Sequence, residues 1–224
     1  MDLDLLSTRL TALIDLGGPV IALLLFLSVL VLTVVLFKLW QFQALGVGRH
    51  AAIGRALEAC DAGDRARAMA DLDSSRSHLA PILRAALDGD ESLKPRLIAM
   101  AEARLALVER GFRLLDSIAQ VAPLLGLFGT VLGMIDAFRA LQDAGDAVDP
   151  SVLAGGIWVA LLTTAAGLAV AMPTSLLLTW FESRAAHERA KADEALEALF
   201  HPLPPQAATR QSVLPPIGGL AHAG

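Results

Sequence analysis

Cysteine is almost absent from this 224-residue sequence, in which Cys60 stands alone. A single thiol excludes an internal disulfide and a cysteine-rich metal site. The five histidines form no His-x-x-x-His or Glu-x-x-His pair, so we expect no metal ion. The sequence also lacks a nucleophile–base pair and a phosphate-binding loop, which argues against an enzyme and against any cofactor. Its net charge of −5 disfavours nucleic acid as a partner.

Charged residues are scarce in three long blocks, although 18% of the chain is charged and 55% is hydrophobic. The first block, Pro19 to Phe37, is 19 residues long. As a helix with a rise of about 1.5 Å per residue, it spans the hydrocarbon core of a bilayer. It lacks the basic start and the cleavage site of a secretory signal. The other blocks run from about Ser117 to Phe138 and from Val152 to Phe181. The pattern predicts an all-α integral membrane protein with three transmembrane helices.

Basic residues are unevenly distributed around these blocks. Of the 18 lysines and arginines, 11 lie between residues 43 and 116, and four follow residue 181. The connector LQDAGDAVDP between the second and third blocks has three aspartates and no basic residue. The positive-inside rule therefore predicts an N-terminus outside the membrane, residues 43–116 inside, a short acidic loop outside and a C-terminus inside.

The predicted organisation has eight segments, and the second and third membrane helices extend into a cytoplasmic helical domain. We expect a periplasmic N-terminus (1–18), transmembrane helix 1 (19–41), a cytoplasmic helical domain (42–116), transmembrane helix 2 (117–140), a periplasmic loop (141–151), transmembrane helix 3 (152–181), a cytoplasmic helix extension (182–201) and a disordered proline-rich tail (202–224). Apolar residues recur at helical spacing from Leu97 onward, with Gly111 as the only weak point. This periodicity predicts one near-continuous helix over 95–140.

Small residues form a stripe along each of the last two blocks, at steps of three and four residues. In the second block the stripe contains Ala119, Ala122, Gly126, Gly129, Thr130, Gly133 and Ala137; in the third it contains Gly156, Ala160, Thr164, Gly167, Ala171 and Ser175. Small residues let membrane helices approach closely. The two stripes can pack on each other, pack on repeated copies, or line a narrow pore. Pro123 and Pro173 each leave a backbone carbonyl oxygen without its helical hydrogen bond. Such an oxygen can accept a hydrogen bond from a polar group, or the proline can simply bend the helix.

Threonine hydroxyls occur in these stripes, where lipid offers no water. Thr130 and Thr164 lie in the small-residue faces, and Thr163 borders one of them. Each can bond a carbonyl of its own helix, or it can serve a polar group that another helix brings in. No ionisable residue lies in the middle of any block, so a moving charge must be carried by another protein. Asp136 is either paired with Arg139 on the helix surface or a functional carboxylate.

The runs VAPLLGLFGTVLGMIDAF at 121–138 and ALLTTAAGLAVAMP at 160–173 resemble the ExbB/TolQ/MotA proton-channel family. The resemblance extends to the three-span order, and it favours ExbB and TolQ over the four-span flagellar stators, with a preference for ExbB. It implies a bacterial inner-membrane homopentamer around a smaller single-span partner, ExbD or TolR. The partner's membrane aspartate would carry protons, and the resulting work would reach the outer membrane through a TonB-like protein or the Tol–Pal system.

The resemblance also implies roles for particular residues. Thr130 and Thr164 correspond to pore threonines that face the partner's aspartate, and Thr163 lies beside them. The residues expected to pack the helices and line the pore are Ala122, Pro123, Gly126, Gly129, Gly133, Gly156, Ala160, Gly167, Ala171 and Pro173. Many ExbB-like proteins have a glutamate where this chain has Val159. This departure leaves a non-conducting oligomeric scaffold open as an alternative, beside a TolQ-like motor subunit.

Overall fold

The computed structural model describes residues 2–143 and 150–203, and every regular element in them is helical. The elements are α1 (Asp2–Ala44), α2 (Ala51–Asp61), α3 (Arg65–Ser74), α4 (Ala80–Asp88), a 3₁₀ turn (Glu91–Leu93), α5 (Lys94–Glu109), α6 (Phe112–Asp143) and α7 (Pro150–Phe200). The predicted all-α class is confirmed. Most of the predicted loop (144–149) and nearly all of the predicted tail (204–224) lie outside the described residues.

Three described segments are long and apolar enough to cross a membrane: Gly18–Ala44, Glu91–Asp143 and Leu153–Phe200. Only 28%, 22% and 17% of their most apolar windows, respectively, are buried inside the chain. The apolar side chains that remain exposed would be unstable in water, and they suit lipid or other membrane helices. The chain is therefore a multi-pass membrane protein.

The helix of the first span starts at a kink in α1. Gly18 has φ 62° and ψ −158°, a left-handed conformation that strains any residue with a β-carbon. Pro19 follows, and its ring suits the first turn of a helix because it has no N–H to leave unsatisfied. From Gly18 to Ala44 the segment has a mean hydropathy of 3.2 over its most apolar window.

The expectation of one near-continuous helix over 95–140 is wrong. Helix α5 ends at Glu109, and α6 begins at Phe112. Gly111 between them has φ 96°, which a right-handed helix cannot contain. The apolar periodicity continues through the break, because Val108 and Phe112 are both buried. Hydropathy alone therefore could not reveal the interruption.

The chain divides into two compact units. Unit 1 contains the residues up to Trp40 together with Glu109–Ser183, and unit 2 contains Gln41–Val108 together with the residues from Arg184 onward. In unit 1, the first span packs against α6 and α7 around a small apolar core of Val20, Leu24, Ala122 and Ala171.

Unit 2 contains α2 to α5 and the last part of α7. Its core consists of alanine and branched aliphatic side chains: Ile53, Ala56, Ala59, Ala68, Leu72, Leu79, Ile82, Leu83, Ala86, Leu87, Leu97, Ala101, Ala192, Ala195, Leu196 and Leu199. The turn between α2 and α3 has Gly63 at φ 77°. The Asp64 carboxylate then accepts a 2.9 Å hydrogen bond from the Arg67 N–H and caps α3.

Candidate functional site

Helices α6 and α7 approach each other through a row of small residues within one chain. The contacting pairs, in order along α6, are Ala122 with Gly167, Gly126 with Thr163, Gly133 with Ala160 and Ala137 with Gly156. Residue numbers rise on α6 while they fall on α7, so the two helices are antiparallel. A β-carbon added to Gly126 would lie 2.8 Å from the Thr163 carbonyl oxygen, and one added to Gly167 would lie 2.6 Å from the Ala122 carbonyl oxygen. We call this row of pairs the glycine contact.

The glycine contact takes in most of the residues predicted to pack the helices. Ala122, Gly126, Gly129, Ala160, Gly167 and Ala171 are buried; Pro123, Gly133 and Gly156 are half-buried; Pro173 is exposed. Of the three arrangements that the small stripes allow, the described residues show the first, in which the two helices pack on each other. Pore lining by any of these residues remains a prediction.

Thr163 joins the two helices through its hydroxyl group. The side chain is only 2% exposed, and its Oγ1 lies 2.7 Å from the Ala160 carbonyl oxygen and 3.1 Å from the Gly126 carbonyl oxygen. The hydroxyl therefore shares its proton between its own helix and α6. The sequence placed Thr163 only at the border of the small-residue face, whereas the structure directs its side chain into the contact. Gly129 makes room for it, because a β-carbon there would lie 2.6 Å from Thr163 Oγ1.

Thr130 and Thr164 are both half-buried, but their hydroxyls differ. Thr130 Oγ1 donates a 2.6 Å hydrogen bond to the Leu127 carbonyl oxygen of its own helix. The Thr130 side chain also borders an open groove along α6, beside Met134 and Phe138. The Thr164 hydroxyl has no hydrogen-bond partner in the part of the chain that the structure describes. Thr164 is therefore the predicted site threonine that is most available to a polar group from another helix.

Among the residues that the structure describes, no carboxylate forms a hydrogen bond with these hydroxyls. Val159 is half-buried, one residue before the Ala160 that packs on Gly133. Asp136 lies 3.9 Å from Arg139, and both side chains are more than two-thirds exposed at 77% and 73%. Such an exposed pair contributes little to stability. Threonine hydroxyls can donate and accept hydrogen bonds, but they do not ionise at physiological pH. The described residues of the site can therefore position a proton carrier but cannot replace one.

A second polar cluster, which the sequence did not reveal, lies in unit 2. It contains Glu188, which is 1% exposed, and the buried or half-buried imidazoles of His50 and His78. Their wide separation along the chain hides them from any spacing motif. One signal was present, because Glu188 interrupts the buried alanine face of α7 between Ala185 and Ala192. Helical periodicity predicts an apolar residue at this position, so a glutamate there indicates a buried charged group.

Residues 74–194, which include α4 to α6 and most of α7, match the MotA/TolQ/ExbB proton channel family. The chain belongs to this family. The resemblance read from the sequence is therefore confirmed. The family is one of transport proteins, and its match covers the glycine contact and all three site threonines.

Individual relatives have the same family names. The ExbB-like 1 protein of Synechocystis sp. is 36% identical over 163 residues, which are 70% of this chain and 64% of the relative. Biopolymer transport protein exbB1 of Vibrio cholerae is 47% identical over 74 residues, 31% of this chain and 32% of the relative. Tol-Pal system protein TolQ of Haemophilus influenzae is 48% identical over 59 residues, 26% of this chain and 25% of the relative. The chain thus matches less than two thirds of the length of each.

Proposed function

We propose that this chain is the channel subunit of an ExbB-like motor in the bacterial inner membrane. With an ExbD-like single-span partner whose membrane segment carries an aspartate, it uses the proton motive force to energise TonB-dependent transport across the outer membrane. The observation that carries the proposal is the hydroxyl of Thr164, which has no hydrogen-bond partner among the described residues and lies beside the glycine contact that fixes its backbone. The family match, which covers both helices, supports it.

The chemistry of a hydroxyl suits a carboxyl group that changes its protonation state in lipid. An ionised carboxylate in the bilayer needs a donor, and a protonated one needs an acceptor, since water is scarce there. A threonine hydroxyl can be either. Thr130 can exchange its bond to the Leu127 carbonyl oxygen for such a partner, because that carbonyl lies within a regular helix. Pro123 and Pro173 lie inside α6 and α7 and free further carbonyl oxygens on the same helices.

The subunit is proposed to work as a homopentamer around its partner. The bulky face of α6 supports an assembly of several copies: Leu124, Phe128, Val131 and Ile135 are 41% to 63% exposed. Native mass spectrometry of the complex, extracted gently from its own membranes, tests this. Five copies with a small, Asp-bearing partner are expected; a homo-oligomer that retains no such partner in several mild detergents would contradict the proposal.

The direct test of the site exchanges threonine for valine, which has the same shape without the hydroxyl. The Thr130→Val, Thr164→Val double variant should assemble normally but lose TonB-dependent uptake in cells that also make the partner. Thr164→Ser should retain most of the uptake. Thr179→Val is the matched control, since Thr179 is exposed on α7 and bonds only its own Ser175 carbonyl oxygen. Full uptake in the double variant would refute proton handling at these threonines.

The orientation in the membrane is part of the proposal and can be tested with single cysteines. Cys60→Ala removes the single thiol of the sequence. Gln142 precedes the predicted third span and Ala190 follows it, and both are exposed. A membrane-impermeant maleimide should label Gln142→Cys in spheroplasts and Ala190→Cys only in inverted vesicles. The reverse pattern would overturn the periplasmic N-terminus, the cytoplasmic segment over 42–116 and the cytoplasmic C-terminus together.

Two other functions remain as alternatives. A TolQ-like role in a Tol–Pal motor is supported by the TolQ match, and it predicts loss of outer-membrane integrity rather than loss of TonB-dependent uptake on deletion. A non-conducting scaffold is supported by Val159, which removes the acid that many ExbB-like proteins have. The scaffold predicts unchanged function in the Thr130→Val, Thr164→Val variant.

A further inference from the structure

Lys38 lies near the end of the first span that is predicted to be cytoplasmic. A lysine at such a position normally extends its side chain to the membrane surface, where water reaches the charge. Lys38 is instead only 1% exposed, whereas Trp40, two residues later, is 66% exposed. Burying a charge costs desolvation energy, and a methionine of similar length would fill the same space without that cost. Packing alone therefore does not account for a lysine at this position.

The buried ammonium group of Lys38 lies against an aromatic ring. Its Nζ atom is 5.5 Å from the centroid of the Phe112 ring, which is within the range of a cation–π interaction. Phe112 in turn stacks on Phe181, with 6.0 Å between the ring centroids and 25° between the ring planes. Both phenylalanines are buried. A cation–π interaction is stronger away from water, so the burial that makes the charge costly also strengthens this contact.

These three side chains come from three different membrane-spanning segments. Lys38 belongs to α1, Phe112 is the first residue of α6, and Phe181 ends the predicted third span within α7. We call the three residues the three-span clamp. The two phenylalanines lie beyond the Ala122–Gly167 end of the glycine contact, so large rings rather than small residues join α6 and α7 there.

The three-span clamp lies at the start of α6, directly after the left-handed Gly111. A β-carbon on Gly111 would lie 3.5 Å from Lys38 Cε and 3.9 Å from Val34 Cγ1, so the stem of Lys38 packs over this residue. The Leu115 N–H donates a 3.2 Å hydrogen bond to the Gly111 carbonyl oxygen and closes the first turn of α6. Because a residue with φ 96° interrupts the helical path, contacts such as those of the Phe112 side chain must fix the start of α6 within unit 1.

We propose that Lys38 is a positioning residue whose buried charge holds the Phe112–Phe181 pair and thereby fixes the ends of α6 and α7 beside the first span. The charge, and not only the shape of the side chain, is what holds the rings. An uncharged side chain of similar length leaves the rings packed but not attracted, so the ends of the two helices loosen while the glycine contact persists. The three-span clamp is separate from the membrane threonines and does not depend on the function proposed for them.

A double-mutant cycle tests the contact between the cation and the ring. Reversible unfolding of the full-length protein by SDS in mixed micelles gives the unfolding equilibrium constants of the native chain, Lys38→Met, Phe112→Leu and the double variant. The cycle isolates the interaction of Lys38 with Phe112 from every other contact of the two residues. The coupling should be on the order of tenfold in the unfolding equilibrium constant, because the cation is removed from water.

The control cycle combines Phe112→Leu with Trp40→Leu, since Trp40 lies on the same turn of α1 as Lys38 but is exposed. Independent sites of this kind should show a coupling within about twofold. Lys38→Arg keeps a cation that can lie over a ring, so it should retain the coupling with Phe112 that Lys38→Met loses. A coupling between Lys38 and Phe112 no larger than that of the control cycle would overturn the proposal.

The fluorescence of Trp180 tests the positioning itself. Its ring lies edge-on against Phe181, with 5.2 Å between the centroids, and Trp40→Phe with Trp158→Phe leaves it as the single tryptophan. In lipid nanodiscs, quenching of Trp180 by acrylamide should increase in Lys38→Met and stay at the native level in Lys38→Arg. Unchanged quenching in Lys38→Met, or an equal increase in Lys38→Arg, would refute positioning by charge; circular dichroism checks that each variant is folded.

Discussion

The glycine contact makes a sharp prediction for Gly126→Ala. The added methyl group would lie 2.8 Å from the Thr163 carbonyl oxygen and 3.0 Å from the Thr164 Cα atom. Both are backbone atoms, so no side-chain rotation relieves the clash, and α6 and α7 must move apart. Relief requires a separation on the order of 0.5–1 Å, which already forfeits a quarter to a half of the dispersion energy of each contact along the row.

The matched control is Gly155→Ala on α7. A β-carbon at Gly155 meets nothing within 4 Å. Both substitutions gain the same helix propensity of about 1 kcal/mol, so this term cancels when the two variants are compared. What remains is the cost of overpacking, typically about 1–3 kcal/mol. Gly126→Ala should therefore be less stable than Gly155→Ala by about 1–3 kcal/mol, a range given by the overpacking cost alone.

Reversible unfolding by SDS in mixed micelles, followed by far-ultraviolet circular dichroism, gives the free energy of unfolding of each variant. Helical content in the folded state must be equal in the two proteins. If Gly126→Ala proves as stable as Gly155→Ala, the two helices do not touch at this point, and the reasoning from the glycine contact fails.

Three further outcomes follow from single side chains. Thr163→Val loses the hydroxyl bridge to the Gly126 carbonyl oxygen and should be less stable by about 0.6–1.7 kcal/mol in the same SDS titration. Thr163→Ser keeps the hydroxyl and should retain most of the native stability. An equal loss of stability in both variants would mean that packing alone matters. Burial lowers the pKa of His78, so the folded state binds fewer protons at this imidazole than the unfolded state does. The contribution of neutral His78 to the stability of the fold is therefore complete above about pH 6.5 and is lost as the pH falls through the lowered pKa. Amide exchange in α4 should accordingly become faster on acidification, and His78→Leu should flatten this dependence; an unchanged acid limb would place its origin elsewhere. Asp136→Asn should change the free energy of unfolding by less than about 0.5 kcal/mol, since the pair with Arg139 is exposed, and a larger loss would indicate a buried role.

The helical class and the three spans could be predicted from the sequence because they depend on composition over twenty or more residues. Gly111 stood out as the weak point of the predicted helix over 95–140, but the sequence could not show that the helix breaks there, because the break depends on one residue with a positive φ inside an unbroken apolar pattern. Glycine is common in membrane helices, and its presence does not distinguish a break from a close contact. Gly126 and Gly111 look alike in the sequence, yet one lies inside a helix and the other between two.

The site was predictable to the level of the helix face, but not to the level of the side chain. Helical periodicity separates Thr163 and Thr164 by about 100° and put Thr164 on the small-residue face, whereas it is Thr163 that points at α6. That choice depends on the partner helix, where Gly126 and Gly129 leave space for one hydroxyl. Likewise, His50 and Glu188 come together only because the last part of α7 packs against the turn before α2.

Small residues of α6 and α7 pack on each other within one chain, so less of this small-residue surface is left for a partner helix. The glycine contact occupies the small faces of α6 and α7, so under the proposed function a partner helix must meet the surface beside it, where Thr164 has an unpartnered hydroxyl and Thr130 borders a groove. Val159 is half-buried, one residue before the Ala160 of the contact. No ionisable residue lies in the middle of the predicted spans, so under the proposed function the partner's aspartate carries the proton and the threonines orient it.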